Sequence, residues 1–213
     1  MASRAAARHL LRSGRPGSVV VASVRAAVQR ISPSPVDPVV VAVGDTVDFA
    51  EFIRALDAAG YGRTDRVETR GEFAVRGGII DLYPAQGREA VRIDFWGDRI
   101  EEITAIDIGS QRSIATRPET HAYPAREVRP DDVLTAAAGN LLHTDPWAAS
   151  TWDRIAQGVS FPGIESWLPW LAGEQTVIGE AHSSTTVVVF EPQRARDRAD
   201  DLTREEAELA AAL

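Results

Sequence analysis

The residues Gly71-Glu72-Phe73-Ala74-Val75-Arg76-Gly77-Gly78-Ile79-Ile80-Asp81-Leu82-Tyr83-Pro84, followed by Val91-Arg92-Ile93-Asp94-Phe95-Trp96-Gly97-Asp98, decide how this chain is read. Apolar and polar residues alternate, and glycines interrupt the runs, as in a β-hairpin with one buried face. In the second run Val91, Ile93 and Phe95 fall on one side and Arg92, Asp94 and Trp96 on the other, because successive strand side chains point to opposite faces. The apolar side belongs to a core. The other sends two arginines, a carboxylate and a tryptophan toward solvent. Trp and Arg are the residue types most enriched at interface hot spots, so this face has the chemistry of a docking surface. The competing reading has Trp96 folded over the edge of its own sheet or under a neighbouring domain.

Upstream, residues 39–43 read as a strand and 48–59 as a helix with Phe49, Phe52, Ile53 and Leu56 along one side, ended by Gly60. With strands around Val67 and over 73–75, 79–83, 91–96 and 100–106, this makes a small α+β domain on an antiparallel sheet. Residues 111–130 read as irregular, punctuated by Pro118, Pro124 and Pro130. Helices are expected over 131–142 and 147–157, core packing for the aromatic-rich 161–171, a buried strand over 185–192, and a charged helix with a solvated face over 193–213. Near the start, the β-branched run 18–23 reads as a buried strand, followed by a short helix over 24–30 and a proline-rich break. A lone strand cannot bury both faces, so residues 1–32 read as the remnant of a larger parallel-sheet domain.

Composition narrows the chemistry. The chain has 213 residues, 44% hydrophobic and 25% charged, which is ordinary for a soluble globular protein. No stretch has the length of apolar residues that a membrane-spanning helix needs. Cysteine is absent, which excludes disulfides, thiolate catalysis and cysteine-ligated metals and fits a reducing cytoplasm. All 23 basic residues are arginine, so a P-loop, which needs its lysine at the β- and γ-phosphates, cannot exist here. Residues 1–36 hold six arginines and no acid, whereas 37–213 hold 17 arginines against 31 acids. A body that acidic argues against broad phosphate binding, although local arginine patches remain available.

The first twelve residues have the arginine-rich, acid-free look of an organellar transit peptide. The preferred reading is an amphipathic helix with Arg4, Arg8 and Arg12 on one face. His9, His121, His143 and His182 are scattered without ligand spacing, so no metal site is expected. Gly158-Val159-Ser160-Phe161-Pro162 lacks the final glycine of a nucleophile elbow. Arg76-Gly77-Gly78 leads into a strand rather than the helix a dinucleotide fingerprint requires. No catalytic residue and no cofactor is assigned: on residue chemistry alone, this is a binding or structural protein.

Four blocks in order carry a resemblance: Gly60-Tyr61-Gly62-Arg63, the 71–84 stretch, Arg92-Ile93-Asp94-Phe95-Trp96-Gly97-Asp98, and Gln111-Arg112-Ser113. They resemble the UvrB/transcription-repair coupling factor family, and the Gln-Arg-Ser ending looks more like the coupling factor. Val19-Val20-Val21-Ala22-Ser23-Val24-Arg25-Ala26, Gly163-Ile164-Glu165-Ser166 and Val189-Phe190-Glu191-Pro192 extend the similarity over nearly the whole chain.

The resemblance implies α/β plus α+β architecture: an incomplete, degenerate helicase-like α/β domain interrupted by a small antiparallel-sheet α+β insert. It places a remnant of the first domain at 1–42, the insert at 43–113, the returning part at 114–192 and a charged helix at 193–213. It implies a UvrA-docking, non-enzymatic N-terminal fragment of a bacterial cytoplasmic repair factor, without motor domains. Arg63, Arg76, Arg92, Asp94, Phe95 and Trp96 are the expected partner-binding residues. Phe95-Trp96 replaces the common Phe-Phe pair, and Asp94 stands where glutamate is common. Other domains of the coupling factor are further expected partners, DNA a weak or indirect one, and a membrane none. The alternatives are a piece of an ATP-dependent DNA translocase whose motor lies outside this chain, or a DNA-binding module.

Overall fold

In the computed structural model, which describes residues 2–211, the chain divides into two compact units, one of Met1–Ala6 with Pro35–Arg129 and the other of Ala7–Ser34 with Pro130–Leu213. The elements in order are α1 (Ala2–Ser13), α2 (Val24–Val28), β1 (Val39–Ala42), α3 (Phe49–Ala58), β2 (Gly62–Arg63), β3 (Glu72–Arg76), β4 (Ile79–Tyr83), β5 (Ala90–Trp96), β6 (Arg99–Ile106), β7 (Ser113–Thr116), β8 (Glu119–Ala122), α4 (Asp132–Thr144), α5 (Ala149–Ala156), α6 (Leu168–Leu171) and α7 (Pro192–Ala211). No helix among the described residues is long and apolar enough to cross a membrane.

The first unit is built on a six-stranded sheet of order β2-β3-β4-β5-β6-β7, antiparallel except for the parallel pair β2 and β3. β1 and β8 form a separate antiparallel ladder, so residues 111–130, read as irregular from their prolines, contribute two strands. The strands are four residues each, too short for a periodicity signal, and Pro118 sits in the turn between them.

Helix α3 covers one face of the six-stranded sheet. Asp48 caps it by accepting a hydrogen bond from the Glu51 N–H at 2.6 Å. Its end is set by Gly60 at φ +83°, with the Gly60 N–H donating to the Asp57 carbonyl and the Tyr61 N–H to the Leu56 carbonyl. Phe52 and Leu56 are buried against Phe73, Ile80, Ile93 and Phe95, with Phe49 and Ile53 packed at the margin. Full burial of such a side chain contributes about 1.5–3 kcal/mol. At the foot of the helix Tyr61 is buried; its hydroxyl donates to the Tyr123 carbonyl at 2.8 Å and accepts from the Ala85 N–H at 3.1 Å. Burial pushes its pKa up to about 12.

The β5–β6 register explains how Ile100 and Ile103, three apart, both reach the core. Asp94 pairs with Glu102 but Phe95 pairs with Ile100, leaving Glu101 as an extra residue. This β-bulge keeps Ile100 on the Phe95 side. On the opposite sheet face Val67, Ala74, Ala90 and Ile106 form a small buried cluster; Val67 reaches it from a loop, not from a strand.

In the second unit the helices expected over 131–142 and 147–157 form as α4, which Asp131 caps, and α5, which follows a short turn. Trp147, Trp152, Trp167 and Trp170 converge with ring centroids 5.0–6.5 Å apart, and Trp152 is fully buried. Two expectations are corrected here. Residues 18–23 and 185–192 were expected as buried strands, but neither forms a β ladder. Val19 and Val21 are 83% and 92% exposed, and Val187, Val188, Val189 and Phe190 are exposed as well. β-Branched runs favour extended backbone, yet a strand exists only where another strand accepts its hydrogen bonds. Both runs lead directly into helices, α2 and α7, which pack together.

The arginine face of α1 is held by ion pairs. Arg4 pairs with Glu127 in the first unit, whereas in the second Arg8 donates from Nε to Glu180 at 2.8 Å and from Nη2 to the Ser32 carbonyl at 2.7 Å.

Candidate functional site

The outward face of β3, β4 and β5 carries the groups that the sequence singles out. Two tight turns set its register. Gly77-Gly78 joins Arg76 to its partner Ile79, and Gly97-Asp98 joins Trp96 to Arg99. Gly77 and Gly97 adopt φ +60° and +61°, where a side chain would be strained. At Gly78 an added Cβ would lie 2.8 Å from the Phe95 carbonyl oxygen, so only glycine lets β4 and β5 close beside Trp96. The Asp98 turn is tied to the helix layer, because its carboxylate accepts from the Phe49 N–H at 3.2 Å and its carbonyl from the Val47 N–H at 2.7 Å.

This register places Asp81 directly opposite Arg92 on β5 and opposite Ala74 on β3, one pleat from Arg76. Its carboxylate, 1% exposed, binds both arginines. Arg92 donates from Nε to Oδ1 at 2.7 Å and from Nη2 to Oδ2 at 2.9 Å, a two-point grip, and Arg76 donates from Nη2 to Oδ2 at 3.1 Å. Charge-assisted bonds of this kind are the strong ones. The Asp81 hydrogen bond makes Arg92 hold its proton more tightly than a free guanidinium. The Arg92 side chain is mostly covered, whereas that of Arg76 stays half exposed.

Next along β5, Asp94 is half-buried and faces Glu102 across the β5–β6 pair. Burial raises its pKa above the usual carboxylate value; Arg92 works against this, and Glu102 and Asp81 add to it. Trp96 ends the row at 81% exposure. The face therefore reads, from β3 toward the turn, as a guanidinium pair, an acidic pair and a bare indole.

The structure thus gathers Arg76, Arg92, Asp94 and Trp96 on one face, and Trp96 is neither folded over the sheet edge nor covered. Phe95 points the other way, into the core, where its ring meets Phe49 edge-on at 5.0 Å and Phe52 at 5.6 Å. Arg63 is exposed on the short edge strand β2, in register with Phe73, and so on the core-side row of the sheet rather than the Arg76 row. Asp81 is the residue that sequence reading missed. A signal existed: the Gly-Gly turn alone fixes Ala74 opposite Asp81, and Asp81 is the single acid in an otherwise apolar strand. No group of three or more potential metal ligands occurs among the described residues.

The family profile described as the UvrB interaction domain matches residues 39–128, the span of both sheets. Residues 39–128 are a UvrB interaction domain. Around this UvrB interaction domain the chain is similar to the transcription-repair-coupling factor of Mycobacterium bovis, 35% identical over 208 residues, covering 90% of this chain and 17% of that protein. It is also similar to the transcription-repair-coupling factor of Bacillus subtilis, 27% identical over 89% of this chain and 18% of that protein. The UvrABC system protein B of Natronomonas pharaonis is 33% identical over 58% of this chain and 18% of its own length. The chain, an N-terminal UvrB-like module of the coupling-factor type, thus spans less than a fifth of the length of these relatives.

Proposed function

We propose that this chain is a protein-interaction module of transcription-coupled nucleotide-excision repair that docks UvrA. The observation that carries the reading is the outward row of the UvrB interaction domain, where two arginines fixed on a buried acid stand beside a bare tryptophan. Each guanidinium keeps an outward edge of N–H donors that suits a carboxylate on the partner, and Trp96 supplies apolar area to desolvate the contact. Hot-spot residues of these types each contribute roughly 1–3 kcal/mol on truncation. Arg76, Arg92, Asp94 and Trp96 touch the partner in this reading; Phe95 holds Trp96 in place from the core side, and Arg63, exposed on the other face of the edge strand, lies outside this row.

In the same reading the insert, expected over 43–113, takes in the matched residues 39–128 and interrupts a helicase-like α/β domain to which the residues before 39 and over 129–192 belong, with 193–213 an appended charged helix. The two bare β-branched runs entering packed helices support it. The module binds rather than catalyses, works in the bacterial cytoplasm, and touches DNA weakly at most, given 17 arginines against 31 acids beyond residue 36. Calorimetric titration of purified UvrA with the chain and with Arg92→Ala tests the docking; equal heats and affinities for the two would refute it. An ATPase assay with and without duplex DNA tests the enzymatic alternative, which turnover above background would favour.

A further inference from the structure

Asp81 is too deeply buried, at 1% exposure, to touch any partner, yet three of its hydrogen bonds go to the two arginines of the docking face. A strand whose other inward and outward neighbours are apolar gains nothing from a buried carboxylate as such, because burying a charge is costly unless it is paired. Its pairing here is asymmetric. The side edge of Arg92, Nε with Nη2, is wholly occupied by Asp81, which leaves the end edge of that guanidinium outside the pairing. Arg76 gives Asp81 a single N–H from Nη2, keeps one intact two-donor edge, and remains half exposed. The carboxylate therefore performs two tasks. It cancels one of two neighbouring positive charges that would otherwise drive the side chains apart, and it fixes which edge of each guanidinium is offered. Long, free arginine side chains lose rotamer entropy on binding, and a pre-set pair has already lost it.

We infer that Asp81 is a positioning residue for docking: it holds Arg76 and Arg92 as a preformed double fork for carboxylates of the partner. The inference rests on the docking reading above and deepens it. Partner affinity then depends on a residue outside the contact surface, and depends on it through the arginines.

A double-mutant cycle on the full chain with purified UvrA tests this, with Asp81→Asn, Arg92→Ala and the double variant titrated by calorimetry and each melted by circular dichroism. Asparagine matches aspartate in shape but lacks its charge and one acceptor oxygen. The expected result is that Asp81→Asn alone weakens UvrA binding about tenfold or more, that its effect is clearly smaller once Arg92 is alanine and Arg76 is the one arginine left for it to position, and that Arg92→Ala alone also weakens binding. An Asp81→Asn loss of the same size in both backgrounds would mean a general structural role and overturn the inference. Native affinity for Asp81→Asn beside weakened Arg92→Ala would overturn it while leaving the docking reading intact. Native affinity for both single variants would remove the docking reading and the inference with it. Should Asp81→Asn fail to show a cooperative melt, Asp81→Ser, smaller and still able to accept a hydrogen bond, is read in its place by the same criteria.

Discussion

Phe95 and Trp96 are neighbours in sequence that serve opposite faces of one sheet: Phe95, 9% exposed, packs edge-on against Phe49 at 5.0 Å, while Trp96 is 81% exposed. Alternation at period two makes this separation, and the bulge at Glu101 preserves it by keeping Ile100 opposite Phe95. The two aromatics therefore separate stability from recognition. Phe95→Ala removes a core ring and is expected to destabilise the chain by about 3 kcal/mol, as large-to-small core changes do. Trp96→Ala is expected to stay within about 0.5 kcal/mol of the native chain, as exposed positions do. Urea denaturation followed by far-ultraviolet circular dichroism checks both, and comparable losses for the two would contradict the assignment of faces.

The alkaline limb of the stability curve reports on Tyr61. The chain holds no lysine and no cysteine, so tyrosine is the side-chain type that titrates between pH 10 and 12. Burial raises the Tyr61 pKa from 10.0 to about 12. A folded-state pKa above the unfolded one means that the stabilisation is complete below pH 10 and is lost as pH rises toward 12. Two pH units correspond to roughly 2–3 kcal/mol. Denaturant midpoints measured across this range are expected to fall steeply, and Tyr61→Phe to flatten the fall. An equal slope in the variant would contradict the burial of this hydroxyl.

Asp94 follows the same rule in the acidic range. Its raised pKa means that its ionised form is disfavoured in the folded chain, first by burial and then by Glu102 and Asp81. The associated stability is present below the ordinary aspartate pKa and has been lost once pH rises through the raised value. At neutral pH, Asp94→Asn is therefore expected to leave the melting temperature unchanged or to raise it. A clear drop in melting temperature would show that the carboxylate is held by a favourable partner.

Much of the fold is legible in the sequence where the signal is local. Asp48 and Gly60 bracket α3, and the alternation from Val91 to Trp96 assigns each side chain of β5 to its face. Where pairing is set by distant residues, legibility fails. Val19-Val20-Val21 and Val187-Val188-Val189 have the composition of strands, but hydrogen-bond partners are supplied by the rest of a fold, and here none forms. β7 and β8 fail in the other direction, as four-residue strands beside Pro118 that are recruited by β6 and β1. At the site, Arg92 and Trp96 are visible from one strand alone. Asp81 is not, because its role appears only when β3, β4 and β5 are laid in register.

The exposed valine runs make a prediction of their own. Unpaired apolar β-type segments are templates for intermolecular strand pairing. The double variant Val19→Thr, Val21→Thr is expected to keep stability within about 0.5 kcal/mol, since both side chains already face solvent, and to reduce self-association. Thermal melts and concentration-dependent light scattering check this. Loss of stability on substitution would show that the run is packed in solution.

In the proposed docking of UvrA, Trp96 and the two arginines of the outward row carry the contact. The most direct measurement is the UvrA affinity of Trp96→Ala beside that of the native chain, with both melts recorded in the same buffer. The expected result for Trp96→Ala is an affinity at least about tenfold weaker with an unchanged melt; a native affinity with an unchanged melt would refute the docking.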